Sequence, residues 1–192
     1  MEFGIQFFAD LGPSEQSGAD YWAQALHLVG LCDELGYTSV RTVEHYFHPY
    51  GGYSPNPIVF LSAAAMLTKK ARLNTGAVLP TFNNPLKLAG EIGMLDAISG
   101  GRSEVGFGRA FLPHEFAHFK VSLDESRARF EEGVEQVRRL LEEEMLLRKE
   151  NATPSPMSPL CRDRHSSHGL PSGSQPSADR SHSPEQAATG TE

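Results

Sequence analysis

The chain has 192 residues, with 17 lysines and arginines against 24 aspartates and glutamates and a formal net charge of −7. An acidic chain without a stripe of basic residues argues against nucleic acid or an anionic membrane surface as a partner. The cysteines, Cys32 and Cys161, fall in different regions, so we expect no disulfide framework and interpret Cys32 as a small core residue.

No apolar stretch approaches the roughly 20 residues that a membrane-spanning helix needs. The first ten residues carry an acid, Glu2, and read as a strand, which differs from the basic start of a signal peptide. We therefore expect a cytoplasmic protein.

The first three quarters of the chain alternate short apolar runs with helical patterns. Apolar and β-branched runs predict strands over residues 3–8, 38–43, 72–79 and 103–108, the first of them buried on both faces. Helical periodicity predicts helices over residues 19–35, 57–69 and 85–98, and a fourth that opens at a capping box from Ser122 to Glu125. This order predicts an α/β domain of parallel strands with crossover helices.

Four strand–helix units occupy residues 1–144. The number of residues per unit is typical of a (β/α)8 barrel, whose eight units occupy roughly 250 residues. We expect a partial (β/α)8 TIM barrel made of the first four units, although an open doubly wound sheet is an alternative. Residues 145–192 form a second region, and residues 151–192 contain six prolines and nine serines. Such a composition predicts a disordered tail.

Polar residues gather after three of the predicted strands, where α/β proteins place their sites. Glu44 and His45 follow the second strand, and Gly108 and Arg109 follow the fourth. A histidine at this position is either catalytic or simply a hydrogen-bonding group, and Arg109 either binds a phosphate or pairs with surface carboxylates. Glu44, His45 and His48 also suggest a metal site, but the intervening loop offers no further histidine or cysteine ligand.

A set of short motifs recurs in a fixed order along residues 1–144. They are TVEHYF at 42–47, NP at 56–57, GAVLP at 76–80, NP at 84–85, LDAISGGR at 95–102 and GFGR at 106–109. In order and spacing they resemble the bacterial luciferase-like flavin-dependent monooxygenases. The resemblance implies a (β/α)8 barrel that uses reduced FMN, or in some branches the deazaflavin F420, together with O2 to oxidise an organic substrate.

The resemblance also assigns roles to residues. His45 corresponds to the active-site histidine of the family, which exchanges a proton near the reactive edge of the flavin, and Glu44 is its supporting residue. Thr75 and Gly76 fall where the family places a non-prolyl cis peptide bond against the isoalloxazine ring. Gly108 leaves room for the cofactor and Arg109 contacts its phosphate, and no metal is implied.

The chain departs from the family pattern at several points. Tyr46 stands where luciferases proper have a second histidine and Gly108 where they have cysteine, so light emission is not expected. Nothing after residue 144 resembles the later units, so we expect a truncated chain of doubtful activity that binds reduced FMN weakly. The alternative is a non-catalytic half-barrel that associates with a partner subunit through the helices at 57–69 and 85–98.

Overall fold

A computed structural model of the protein describes residues 1–150. The strands are β1 (Gly4–Phe7), β2 (Ser39–Thr42), β3 (Arg72–Val78) and β4 (Ser103–Phe107), and the helices are α1 (Gly18–Leu35), α2 (Pro57–Leu67), α3 (Pro85–Ser99), α4 (Pro113–Phe119) and α5 (Ser126–Glu150). The disordered tail that the sequence predicts, with Cys161, lies almost entirely outside the described residues. Within those residues no helix is both long and apolar enough to cross a membrane.

The four strands form one parallel sheet in the order β1-β2-β3-β4, so each strand pairs with the next in the chain. A parallel pair needs a crossover connection, which α1, α2 and α3 supply. The predicted α/β fold of four parallel βα units is confirmed, and the strand bounds differ from the prediction by at most one residue at either end.

Local signals set the ends of the first three helices. Asn56 and Asn84 cap α2 and α3 with their side-chain oxygens, and each is followed by a proline in the first turn. Gly36 and Gly100 end α1 and α3 in the left-handed conformation that glycine adopts without steric cost. These signals explain why the helix bounds were readable from the sequence.

The core lies on the helix-covered face of the sheet. Val40, Leu73 and Val29 are fully buried there together with Cys32, which confirms Cys32 as a core residue. The expectation that the first strand is buried on both faces is wrong, because only Phe7 of β1 is buried.

The opposite face of the sheet is polar. One row across the four strands, set by the strand register, consists of Gln6, Arg41, Asn74 and Glu104. In β2 and β3 these residues lie between buried ones, so they project away from the helices. Three of the four residues in this row, Gln6, Arg41 and Glu104, are exposed.

The segment after β4 differs from the prediction in two ways. Helix α4 was not foreseen, and α5 begins at Ser126, whereas the predicted capping box begins at Ser122. The Ser122 hydroxyl accepts a hydrogen bond from the backbone N–H of Asp124 (3.3 Å). Glu125, just before α5, forms an ion pair with Arg129 of α5 (3.0 Å). The box motif therefore forms a turn that leads into the helix.

Arg102 fastens the end of α2 to the start of β4. Its guanidinium donates to the backbone oxygens of Ala65, Thr68 and Ala71 at 2.7–3.1 Å, and its Nε donates to that of Ser99 at 2.8 Å. Carbonyls at a helix end lack partners within the helix, so one arginine satisfies several of them. This contact fixes the connection between the second and third βα units.

Candidate active site

The residues singled out by the sequence collect at one edge of the sheet. Glu44 and His45 follow β2, Gly76 lies near the end of β3, and Gly108 and Arg109 follow β4. Because the strands are parallel, their carboxyl ends lie side by side at this edge. The structure therefore brings the predicted site residues to the same end of the domain.

His45 is buried (7% exposed) in a ring of aromatic side chains. The centroids of Phe8 and Phe111 both lie 6.0 Å from the imidazole centroid, and that of Tyr50 lies 5.5 Å away. Gly51, at a φ of +74°, packs against the imidazole so closely that a Cβ there would lie 2.7 Å from the ring. The histidine is thus held in one position by the loop that follows β2.

Glu115 of α4 is the nearest charged partner of His45. Its Oε1 lies 3.0 Å from Nδ1 of His45 and accepts the backbone N–H of Tyr46 at 3.1 Å. The side chain is fully buried, and its Oε2 has no hydrogen-bond partner among the described residues. Glu115 was not among the predicted site residues, and it lies 70 residues from His45 in a helix of seven residues.

Glu44 makes a separate network that does not include His45. Its Oε1 accepts from the Tyr46 hydroxyl (2.5 Å) and from the Asn83 amide (2.8 Å), and its Oε2 accepts from the backbone of Leu79 (2.9 Å). The carboxylate therefore ties the loop after β2 to the loop after β3. It also lines a cavity of about 180 Å³ between α2 and α3.

Burial changes the acid–base properties of this network. Desolvation raises the pKa of Glu44 from 4.5 to about 7, against the three hydrogen bonds it accepts, and the nearby charge of Glu115 adds to the rise. Desolvation also raises the pKa of the Tyr46 phenol, as does its bond to Glu44. Glu44 thus exchanges a proton near neutral pH, whereas Tyr46 stays a hydrogen-bond donor.

Thr75 and Gly76 lie where β3 loses its regular register with β4. The Thr75 hydroxyl is buried and bonds both backbone groups of Gly106, at 2.9 Å and 3.0 Å. The expected cis peptide bond is present one residue later than predicted, between Gly76 and Ala77, beside the register shift. A Cβ at Gly76 would collide with the side chain of Arg41, which crosses the polar face at this point.

Gly108 and Arg109 lie just beyond β4. A Cβ on Gly108 would lie 3.2 Å from Leu79 and 3.3 Å from Ala77, so close packing at the end of β3 already favours glycine there. The Arg109 backbone oxygen accepts from Thr81 (2.8 Å), while its exposed guanidinium forms no ion pair with any described residue. Arg109 is therefore an available cation at the carboxyl edge.

The metal alternative gains no support from the geometry. His45 bonds Glu115, and the ring of His48 stacks on that of His114 with centroids 4.5 Å apart. Within residues 1–150 no group of three histidine, cysteine or acidic side chains is arranged to hold a metal ion.

The chain is similar in sequence to a family model and to known proteins. The family model described as luciferase-like monooxygenase matches residues 1–155. The uncharacterized protein y4wF of Sinorhizobium fredii is 38% identical over 135 residues, which cover 70% of this chain and 39% of that protein. The oxygenase component of a flavin-dependent trigonelline monooxygenase from Acinetobacter baylyi is 30% identical over 124 residues, 65% of this chain and 34% of that protein.

A solved structure shares both fold and sequence with the chain. The monooxygenase RslO1 of Streptomyces bottropensis is 62% identical, with a TM-score of 0.72, over 73% of this chain and 43% of that protein. The chain thus spans less than half the length of these relatives.

Proposed function

The chain belongs to the luciferase-like monooxygenase family, and we propose that it supplies the catalytic edge of a flavin-dependent enzyme that uses O2 to oxidise a small organic substrate. One observation carries the proposal. A buried histidine, His45, lies at the carboxyl edge of a parallel sheet. The same edge carries Arg109, a cation without an ion pair among the described residues, and a glycine-containing stretch of β3 and β4. This is the edge at which barrel enzymes hold their cofactors.

The residues present fit a phosphorylated flavin. Arg109 is free to pair with a phosphate, which a guanidinium binds through two parallel hydrogen bonds. Gly76 and Gly106 are paired neighbours on the polar face, and they have no side chains of their own to shield the backbone from a flat ring. The Arg41 side chain lies over Gly76 in this structure, so a ring bound here would require Arg41 to move. Thr75 braces this stretch through its bonds to Gly106, so it would shape the cofactor site by holding the backbone of β3 and β4 in place.

The cofactor we propose is reduced FMN, with F420 less favoured, since the Acinetobacter baylyi relative is described as flavin-dependent. A reduced flavin, when bound, supplies the electrons that activate O2. His45 then moves a proton at the reacting centre, a role suited to imidazole near neutral pH. Glu44 supports the site by holding the loops after β2 and β3 together.

The rings around His45 favour an apolar organic substrate. Tyr50 and Phe111 are 40% and 60% exposed, so they offer apolar surface next to the imidazole. Water is excluded from the opposite side of the imidazole, where Glu115 is fully buried. A weakly polar substrate would be held against these rings by burial of apolar area.

Isotope labelling tests the proposed activity. The full chain is supplied with enzymatically reduced FMN and ¹⁸O₂ and a panel of ketones, aldehydes and aromatic compounds, and products are analysed by mass spectrometry. We expect ¹⁸O in a product with the wild type, loss of that product with His45→Ala, and no change with the control His27→Ala on the exposed face of α1. Equal turnover by His45→Ala would contradict the catalytic role.

A second candidate function is association with a partner subunit or a second copy. It is favoured by the outer face of α2 and α3, where Val59, Met66, Leu86 and Met94 are each between 66% and 69% exposed. Gly90 and Gly93 on α3 have open space around them, so another helix can approach closely. An exposed apolar surface of this kind marks an interaction site.

Light scattering during size-exclusion chromatography tests this association. We expect the chain to elute as a dimer and the pair Met66→Lys and Met94→Lys to elute as a monomer, because lysine ammonium groups resist burial. Leu123→Lys, at an exposed position outside α2 and α3, serves as the control. A monomeric wild type that also fails to capture a full-length relative would remove this candidate.

A further inference from the structure

His45 and Glu115 form a buried pair whose geometry restricts where the imidazole carries its proton. Two donors converge on Oε1 of Glu115: the Tyr46 backbone N–H at 3.1 Å and Nδ1 of His45 at 3.0 Å. The backbone N–H has no acceptor lone pair, so Oε1 is fixed as an acceptor. A carboxylate oxygen can accept both bonds, so the contact is satisfied when the imidazole donates from Nδ1.

The other ring nitrogen is left free by this arrangement. In the described residues Nε2 of His45 makes no hydrogen bond. Of the three aromatic rings around the imidazole, Phe8 and Phe111 have no hydrogen-bonding group, and the Tyr50 hydroxyl is not bonded to His45. A ring nitrogen with a lone pair and no protein partner is available to a ligand at the carboxyl edge. Which nitrogen is free depends on the carboxylate bound to the other one.

We propose that Glu115 is a positioning residue that holds His45 as the Nδ1–H tautomer and presents Nε2 as the proton acceptor of the active site. Glu115 does not touch the reacting atoms itself. It acts from α4, the helix after β4, on a residue of the loop after β2, and so couples two of the four βα units. This role of Glu115 rests on the proposed function, but the experiment that tests it does not require turnover.

Glu44 does not serve the same purpose, although it is the acid adjacent to His45 in the chain. All three of its hydrogen bonds go to Tyr46, Leu79 and Asn83. The two buried carboxylates therefore have different roles: Glu44 holds the loops after β2 and β3 together, and Glu115 orients His45. Tyr46 connects them, because its hydroxyl binds Glu44 and its backbone N–H binds Glu115.

Long-range ¹H–¹⁵N correlation spectra of the ¹⁵N-histidine-labelled chain test the tautomer. His45→Gln identifies the His45 signals, and His27, which is exposed on α1, is the control within the same spectrum. For the neutral ring of His45 we expect a protonated Nδ1 and a bare Nε2 in the wild type. Free imidazole side chains prefer the opposite tautomer, so a wild-type His45 protonated at Nε2 would overturn the proposal.

Two variants of Glu115 distinguish the effect of its hydrogen-bond acceptor from the effect of its negative charge. Glu115→Leu has similar volume and no acceptor, and we expect His45 to revert to the Nε2–H tautomer. Glu115→Gln keeps an oxygen, which the Tyr46 N–H holds in place, so the Nδ1–H tautomer should persist. Retention of Nδ1–H in Glu115→Leu, or its loss in Glu115→Gln, would show that another group sets the tautomer.

Kinetics distinguish this inference from the proposed function. If the wild type turns over, Glu115→Leu should lower kcat on the order of 10²–10⁴-fold, the usual contribution of a positioned acid–base group, with unchanged flavin affinity. A loss confined to flavin affinity would contradict the positioning role. If no chain turns over, the proposed activity fails, and the tautomer measurement still decides the role of Glu115.

Discussion

Replacing Glu44 with glutamine should remove a pH dependence of stability that a buried carboxylate creates. The pKa of Glu44 rises from 4.5 to about 7 in the folded chain, chiefly through burial. Between these values the folded state holds a proton that the unfolded state has released. The resulting stabilisation is fully present below about pH 4.5 and is lost as the pH rises through about 7.

The size of the effect follows from that difference. Each pH unit inside the window changes the free energy of unfolding by about 1.4 kcal/mol. Integrated from pH 5 to pH 8 with both titrations included, the wild type should lose about 2.5 kcal/mol relative to Glu44→Gln. Other titrating groups are shared by the two proteins, so they cancel in the difference.

Urea unfolding at half-unit steps between pH 5 and pH 8, followed by circular dichroism, measures the difference directly. Glu132→Gln, which removes an exposed carboxylate of α5, corrects for the loss of one negative charge. The stability of wild type minus Glu44→Gln should fall steadily with pH. A constant difference, or one that grows with pH, would refute the reasoning from burial.

Two further predictions concern the fold. Arg102→Ala should lower the free energy of unfolding by about 3 kcal/mol, because several backbone oxygens at the end of α2 lose their donor. Chemical denaturation measures this loss, and a loss below about 1 kcal/mol would contradict the prediction. Gly133→Ala should destabilise by about 1–3 kcal/mol, since its Cβ would lie 2.9 Å from Pro80. Gly30→Ala, in open space on α1, should instead stabilise by roughly 0.5–1 kcal/mol, and equal effects of the two substitutions would refute the packing explanation.

Much of the fold was readable because its signals are local. Apolar runs a few residues long marked all four strands, and the asparagine–proline pairs before α2 and α3 marked where those helices begin. The boundary at residue 144 between a barrel domain and a tail stays a prediction. Helix α4 escaped detection because seven residues complete too few turns to show a period.

The sequence predicted where the site residues lie but not their hydrogen-bond partners. The strand ends located His45, Glu44 and Arg109, since parallel strands bring their carboxyl ends together. Glu115 could not be foreseen, because its bond to His45 joins residues 70 positions apart. The sequence also placed Glu44 as a direct supporter of His45, whereas its hydrogen bonds run to the loop after β3.

The direct test of the central claim, a flavin site at the carboxyl edge, is a titration of the full chain with FMN and with riboflavin. The structure predicts tighter binding of FMN, with Arg109→Ala removing that advantage and leaving riboflavin unaffected. Arg72→Ala, an exposed arginine at the opposite end of β3, is the matched control. Equal affinity of the wild type for FMN and riboflavin, or equal loss of both with Arg109→Ala, would contradict the claim.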